Sequence, residues 1–116
     1  MTTVVIVLRL FEAILLFGYA KYGLATTFSS ANDPGNPNPL CYCNNQVLKD
    51  DDLVVAHPTL PCRSKVFLYN PRTRKRIIAK VMDRGPRHAM IDLSEGATKA
   101  LKSNKYEKIF MLPLGK

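Results

Sequence analysis

The chain has 116 residues, enough for one small domain and too few for two independent cores. Its 47% apolar content is ordinary, but a share of it is spent in the first twenty residues. Seventeen Lys and Arg against nine Asp and Glu give a formal charge of +8, which points to an anionic polymer or a membrane surface as partner. The basic clusters, Arg72, Arg74, Lys75 and Arg76, then Lys99, Lys102, Lys105 and Lys108, are not interleaved with aromatics in a nucleic-acid motif, and Trp is absent. Nucleic acid is therefore not an expected partner.

Residues 1–20 differ from the rest. Val4 to Leu8 is apolar, Arg9 and Glu12 interrupt, and Ala13 to Ala20 is apolar again. Gly18-Tyr19-Ala20 offers the small residues of a signal-peptidase site. The expectation is an export segment, either a cleaved signal peptide or an anchor attaching the protein to a membrane through residues 3–20. About 20 apolar residues are needed to span a bilayer, and Arg9 and Glu12 count against stable residence there. The protein is expected in the periplasm, the cell envelope or the extracellular space.

Residues 23–28 read as a strand. Residues 29–46 are rich in Ser, Asn, Asp, Pro and Gly and read as a loop, carrying Cys41 and Cys43. With Cys62 these make three cysteines, and in an exported protein one disulfide is the default, joining Cys62 to Cys41 or Cys43. The Cys-x-Cys spacing lacks a second matching pair, so no metal or other cofactor is expected. Asp50-Asp51-Asp52 reads as a solvated turn, and Leu53 to Ala56 as a strand leading into His57. Lys65–Tyr69 and Arg76–Met82 form the clearest strand pair, with turn residues between them predicting a hairpin. Within the second strand, Ile77 and Ala79 should face opposite to Ile78 and Lys80. Gly85-Pro86 breaks that strand just after Asp83, and Ile91 and Leu93 resume an apolar face around Asp92. Residues 93–102 read as a helix through Ala97, Ala100 and Leu101, and Ile109–Leu112 as a last strand ended by Pro113. Strands outnumber helices, so the pattern predicts a small, mainly β barrel, a closure that removes exposed sheet edges.

Two aspartates thus fall at strand ends beside a turn, where a β-fold exposes chemistry. Met82-Asp83-Arg84-Gly85-Pro86 followed by Ile91-Asp92-Leu93-Ser94 resembles the signature of the rare lipoprotein A (RlpA) family, relatives of expansins and barwins. Ala56-His57-Pro58-Thr59-Leu60-Pro61 is similar to that family's Ala-His-x-Thr-Leu-Pro, and Gly23-Leu24-Ala25-Thr26 to its opening strand. The resemblance covers roughly residues 21–115. It implies a six-stranded double-psi β-barrel with one or two short helices over residues 21–116, acting as a monomer. It also implies a lytic transglycosylase of peptidoglycan glycan strands, with a non-catalytic, expansin-like module binding or loosening a cell-wall polysaccharide as the alternative.

The resemblance assigns Asp83 as general acid and then base, with His57 assisting through an imidazole that titrates near neutrality. Thr26 matches a groove threonine of expansin-like proteins, and Arg84 is a substrate-binding candidate. A cation beside Asp83 would oppose its protonation, so Arg84 should point away, to a backbone or substrate acceptor. Asp92 either contacts glycan or caps the following helix, because Asp92-Leu93-Ser94-Glu95 also reads as an N-cap with an acid at its third position. The chain departs from the family in four places. Cys62-Arg63 follow the Leu-Pro where the family has glycine, the span between Pro86 and Ile91 is short, Thr27-Phe28 replace an aromatic pair, and no cysteine follows the apolar run at a lipidation position.

Overall fold

A computed structural model describes residues 20–28 and 53–115. The segment expected to direct export, the acidic run at 50–52 and the loop with Cys41 and Cys43 lie outside the described residues. Six strands and one helix are described: β1 (Lys21–Phe28), β2 (Val54–Ala56), β3 (Lys65–Asn70), β4 (Lys75–Asp83), β5 (Ile91–Ser94), α1 (Glu95–Ala100) and β6 (Glu107–Gly115). They close into a barrel in the order β1-β5-β2-β4-β3-β6. The pairs β1–β5 and β2–β4 are parallel and the other four antiparallel.

The strand period of two builds the barrel wall. On β3, Val66, Leu68 and Asn70 turn inward and are buried, while Lys65, Phe67 and Tyr69 alternate with them. On β4, Ala79 and Val81 face the core, Ile77 packs partly against it, and Ile78 and Lys80 are exposed. Val55, Ile91, Leu93, Ile109 and Met111 complete the interior, and Ala97 and Leu101 close it from the side of α1. Truncating a fully buried residue such as Leu68 to Ala should cost about 2–5 kcal/mol. The expected hairpin is present between β3 and β4. The Asn70 side chain accepts from the Arg72 amide at 3.0 Å and Arg74 takes φ 62°, which sets the turn.

Two expectations are corrected. The helix begins at Glu95, because Leu93 and Ser94 pair with Thr27 and Phe28 in the parallel β1–β5 ladder. Its N-cap is Ser94, whose hydroxyl accepts from the Ala97 amide at 3.1 Å. Asp92, two residues earlier, is therefore released from capping. The last strand does not stop at Pro113 but runs to Gly115. A register shift between Lys65 and Val66 lets proline enter the ladder, as an irregularity can.

Candidate active site

The registers of four neighbouring strands bring the predicted residues together. Thr26 on β1 is opposite Asp92 on β5, Asp92 is opposite Ala56 on β2, and Ala56 is opposite Asp83 on β4. A shift between Val55 and Ala56 skips Met82 and places Asp83, the last residue of β4, at the end of this rung. His57 follows Ala56 directly, and its amide donates to the Asp83 carbonyl at 3.1 Å. Residues scattered from 26 to 92 in the sequence thus meet at one level of the wall.

The two carboxyls have different surroundings. Asp92 accepts from the Thr26 hydroxyl at 2.8 Å. Desolvation, first, and the charge of nearby Asp83 raise the Asp92 pKa, against a lowering pull from the Thr26 hydrogen bond. Asp83 accepts from the Arg84 amide at 2.8 Å.

His57 is 7% exposed, and its Nδ1 accepts from the amides of Thr59 at 3.1 Å and Leu60 at 3.0 Å. With Nδ1 occupied as an acceptor, the ring proton of the neutral imidazole belongs on Nε2. Burial, then the charges of Lys21 and Arg84, lower the His57 pKa and hold it neutral. The ring is thus held in place by two backbone amides.

Arg84 turns to backbone acceptors. Its Nη1 donates to the carbonyls of His57 at 3.1 Å and Leu60 at 2.6 Å, and its Nη2 lies 3.3 Å from Cys62 Sγ. Cys62 is disulfide-bonded, and the choice between Cys41 and Cys43 falls outside the described residues. One guanidinium therefore ties the turn that carries His57 to the strand end that carries Asp83. Sequence reasoning expected Arg84 to turn to a backbone or substrate acceptor, and the structure has the backbone acceptors. That reasoning missed the amides of Thr59 and Leu60, which fix the histidine, because a backbone donor leaves no mark in residue type.

Among the described residues no three His, Cys, Asp or Glu side chains are placed to hold a metal ion. A cavity of about 540 Å³ opens beside the rung, lined by Thr27, Phe28, Thr98, Lys99, Lys105 and Tyr106 among others, but not by Asp83, Asp92 or His57. The carboxylates lie outside this cavity.

A closed six-stranded barrel with two parallel pairs is the architecture of a double-psi β-barrel. No family model matches the chain. It is 30% identical over 86 residues to the endolytic peptidoglycan transglycosylase RlpA of Pasteurella multocida, covering 72% of this chain and 28% of that protein. It is 30% identical over 93 residues to the RlpA of Yersinia pestis, covering 78% of this chain and 24% of that protein. The chain thus spans about a quarter of the length of these relatives. The Streptomyces papain inhibitor has the same fold, with a TM-score of 0.61 at 20% identity over 84% of this chain and 96% of its own. The chain carries an RlpA-like double-psi β-barrel domain.

Proposed function

We propose that this domain acts on peptidoglycan glycan strands as a lytic transglycosylase. The observation that carries the reading is the rung that sets Asp83 and Asp92 on either side of Ala56. The similarity to two peptidoglycan transglycosylases supports the substrate class. From the sequence, Asp83 would perform both proton transfers. The raised pKa of Asp92, to which the charge of Asp83 contributes, supports dividing them, with the protonated carboxyl as acid and its charged neighbour as base.

Asp92, the carboxyl biased toward its protonated form, gives its proton to the glycosidic oxygen as the bond from the anomeric carbon breaks. The 6-hydroxyl of the same sugar then bonds to that carbon, and Asp83 takes the hydroxyl proton. No activated water is needed, and the product carries an internal anhydro ring in place of a reducing end. His57 offers its Nε2–H as a neutral donor to the substrate, and Thr26 keeps the Asp92 carboxyl in place.

The test is to incubate the full chain with peptidoglycan sacculi and to analyse released fragments by mass spectrometry. Anhydro ends are expected, with release falling at least about 100-fold in Asp83→Asn, the scale of lost acid–base catalysis. Reducing ends would replace transglycosylation by hydrolysis, which two carboxylates also permit. Binding without release would leave the expansin-like reading.

A further inference from the structure

The half of the barrel formed by β4, β3, β6 and β1 displays an outward surface unlike the rest. One rung reads Arg76, Tyr69, Phe110 and Tyr22 across the four strands, and the next reads Ile78, Phe67 and Leu112. Tyr22 is 54% exposed, Ile78 55% and Leu114 47%, high values for large apolar side chains. Beyond them Lys65 lies directly opposite Lys80, both exposed. Like charges facing each other across a ladder are unfavourable unless an anion answers them. Lys108 adds a further exposed cation, and the acids of these four strands, Asp83 and Glu107, stand at strand ends outside the two rungs.

We propose that this face seats on the headgroup region of an anionic phospholipid bilayer. Tyrosines and aliphatic side chains ringed by lysine and arginine, without acids in the two rungs, match the interfacial zone of a membrane, where amphipathic rings settle and anionic headgroups attract cations. A glycan is a poorer occupant. The Tyr22 and Phe110 rings stand 4.7 Å apart at 33°, and Tyr69 and Phe110 6.4 Å apart at 38°, so the rings lean on one another instead of forming a flat platform for sugars. The chain itself points the same way. Its apolar run ends at Ala20, and the exposed ring of Tyr22 stands two residues further on. No helix of the described residues is long and apolar enough to cross a membrane.

The closed strand order gives this seat a consequence. β5 and β2, which carry Asp92 and Ala56, lie across the barrel from β3 and β6. A bilayer under β3 and β6 leaves Asp92 on β5 turned away from the lipid and open to a polymer on the other side, with Asp83, the last residue of β4, at the rim between the two sides. The inference does not depend on what the two carboxyls do.

The test is lysine acylation of the full chain, read by mass spectrometry, in nanodiscs of half phosphatidylglycerol and in discs of phosphatidylcholine alone. Residues 1–20 are the same in both discs, so a difference between them reports on the barrel face. Labelling of Lys65 and Lys80 relative to Lys99 on α1 is expected to fall about fivefold in the anionic discs, the scale of one cation held at a charged surface. In neutral discs it should return to the value in detergent. The Tyr22→Ser, Ile78→Ser double variant should lose the protection while keeping the amide-exchange protection of the core strands. Equal labelling in both lipids, or protection of Lys99 instead, would overturn the proposal.

Discussion

Replacing Arg84 by alanine removes one guanidinium that serves two carbonyls, those of His57 and Leu60. Hydrogen bonds to a charged donor contribute about 1.5–3 kcal/mol each, and a partly buried carbonyl left without a donor adds to the cost. The two bonds share one side chain and are not independent, so the expected loss is about 2–4 kcal/mol rather than their full sum. With a urea m-value near 1.5 kcal/mol per M, the midpoint should move down by about 1.5–2.5 M. Arg84→Lys keeps the charge but not the fork, and should recover about half of the loss. The assay is equilibrium unfolding in urea, followed by far-UV circular dichroism with the disulfide intact. The reasoning fails if Arg84→Ala unfolds within about 0.5 kcal/mol of the parent, the range of an ordinary surface change, while peptidoglycan binding weakens. Arg84 would then belong to the substrate, the other of the two acceptors that the sequence leaves open.

Other outcomes follow from the same contacts. Asp92 has a raised pKa in the fold, so its stabilising contribution is full below the unfolded value, near 3.8, and is lost as pH rises through the folded value. Asp92→Asn should abolish that loss and be the more stable protein at pH 7 while losing activity, as thermal melts across pH would record. His57 has a lowered pKa, so its contribution is full above the unfolded value, near 6.5, and is lost as pH falls through the folded value. Nitrogen-15 spectra at neutral pH should find its proton on Nε2, and an Nδ1–H tautomer would contradict the reading. Ser94→Ala removes the acceptor of the Ala97 amide and, at 3.3 Å, of the Val54 amide, and should cost about 1–2 kcal/mol.

The alternation of apolar residues made the β3–β4 hairpin and the opposed faces of Ile77 and Ile78 legible in the sequence, because one face of each strand must be buried. The barrel closure followed from the number of strands, but the parallel pairing of β1 with β5 and β2 with β4 joins segments far apart in the chain. No local propensity encodes it, and only the motif resemblance pointed there. The helix start was misread because Asp92 and Ser94 are both good caps in isolation. Pairing of Leu93 with Thr27 keeps the chain extended and decides for Ser94. Pro113 reads as a strand end until the bulge opposite it is known. At the site, the motif resemblance singled out Asp83, His57, Asp92 and Thr26, whereas the backbone amides that fix His57 and the particular carbonyls that take the Arg84 guanidinium depend on the turn itself. The clamp of Asn70 and Arg72 on Glu107 was also invisible, since it needs β3 and β6 to be neighbours.

The division of labour between the two carboxyls is tested most directly by a carbon-13 titration of the aspartate side chains, in the parent chain and in Asp83→Asn. Asp92 should titrate above the ordinary aspartate range in the parent. It should move part of the way down when Asp83 is neutralised, because burial remains while the neighbouring charge is removed. An Asp92 that titrates at or below 3.8 in the parent, or that does not respond to Asp83→Asn, would contradict the assignment of Asp92 as the acid and Asp83 as its partner base.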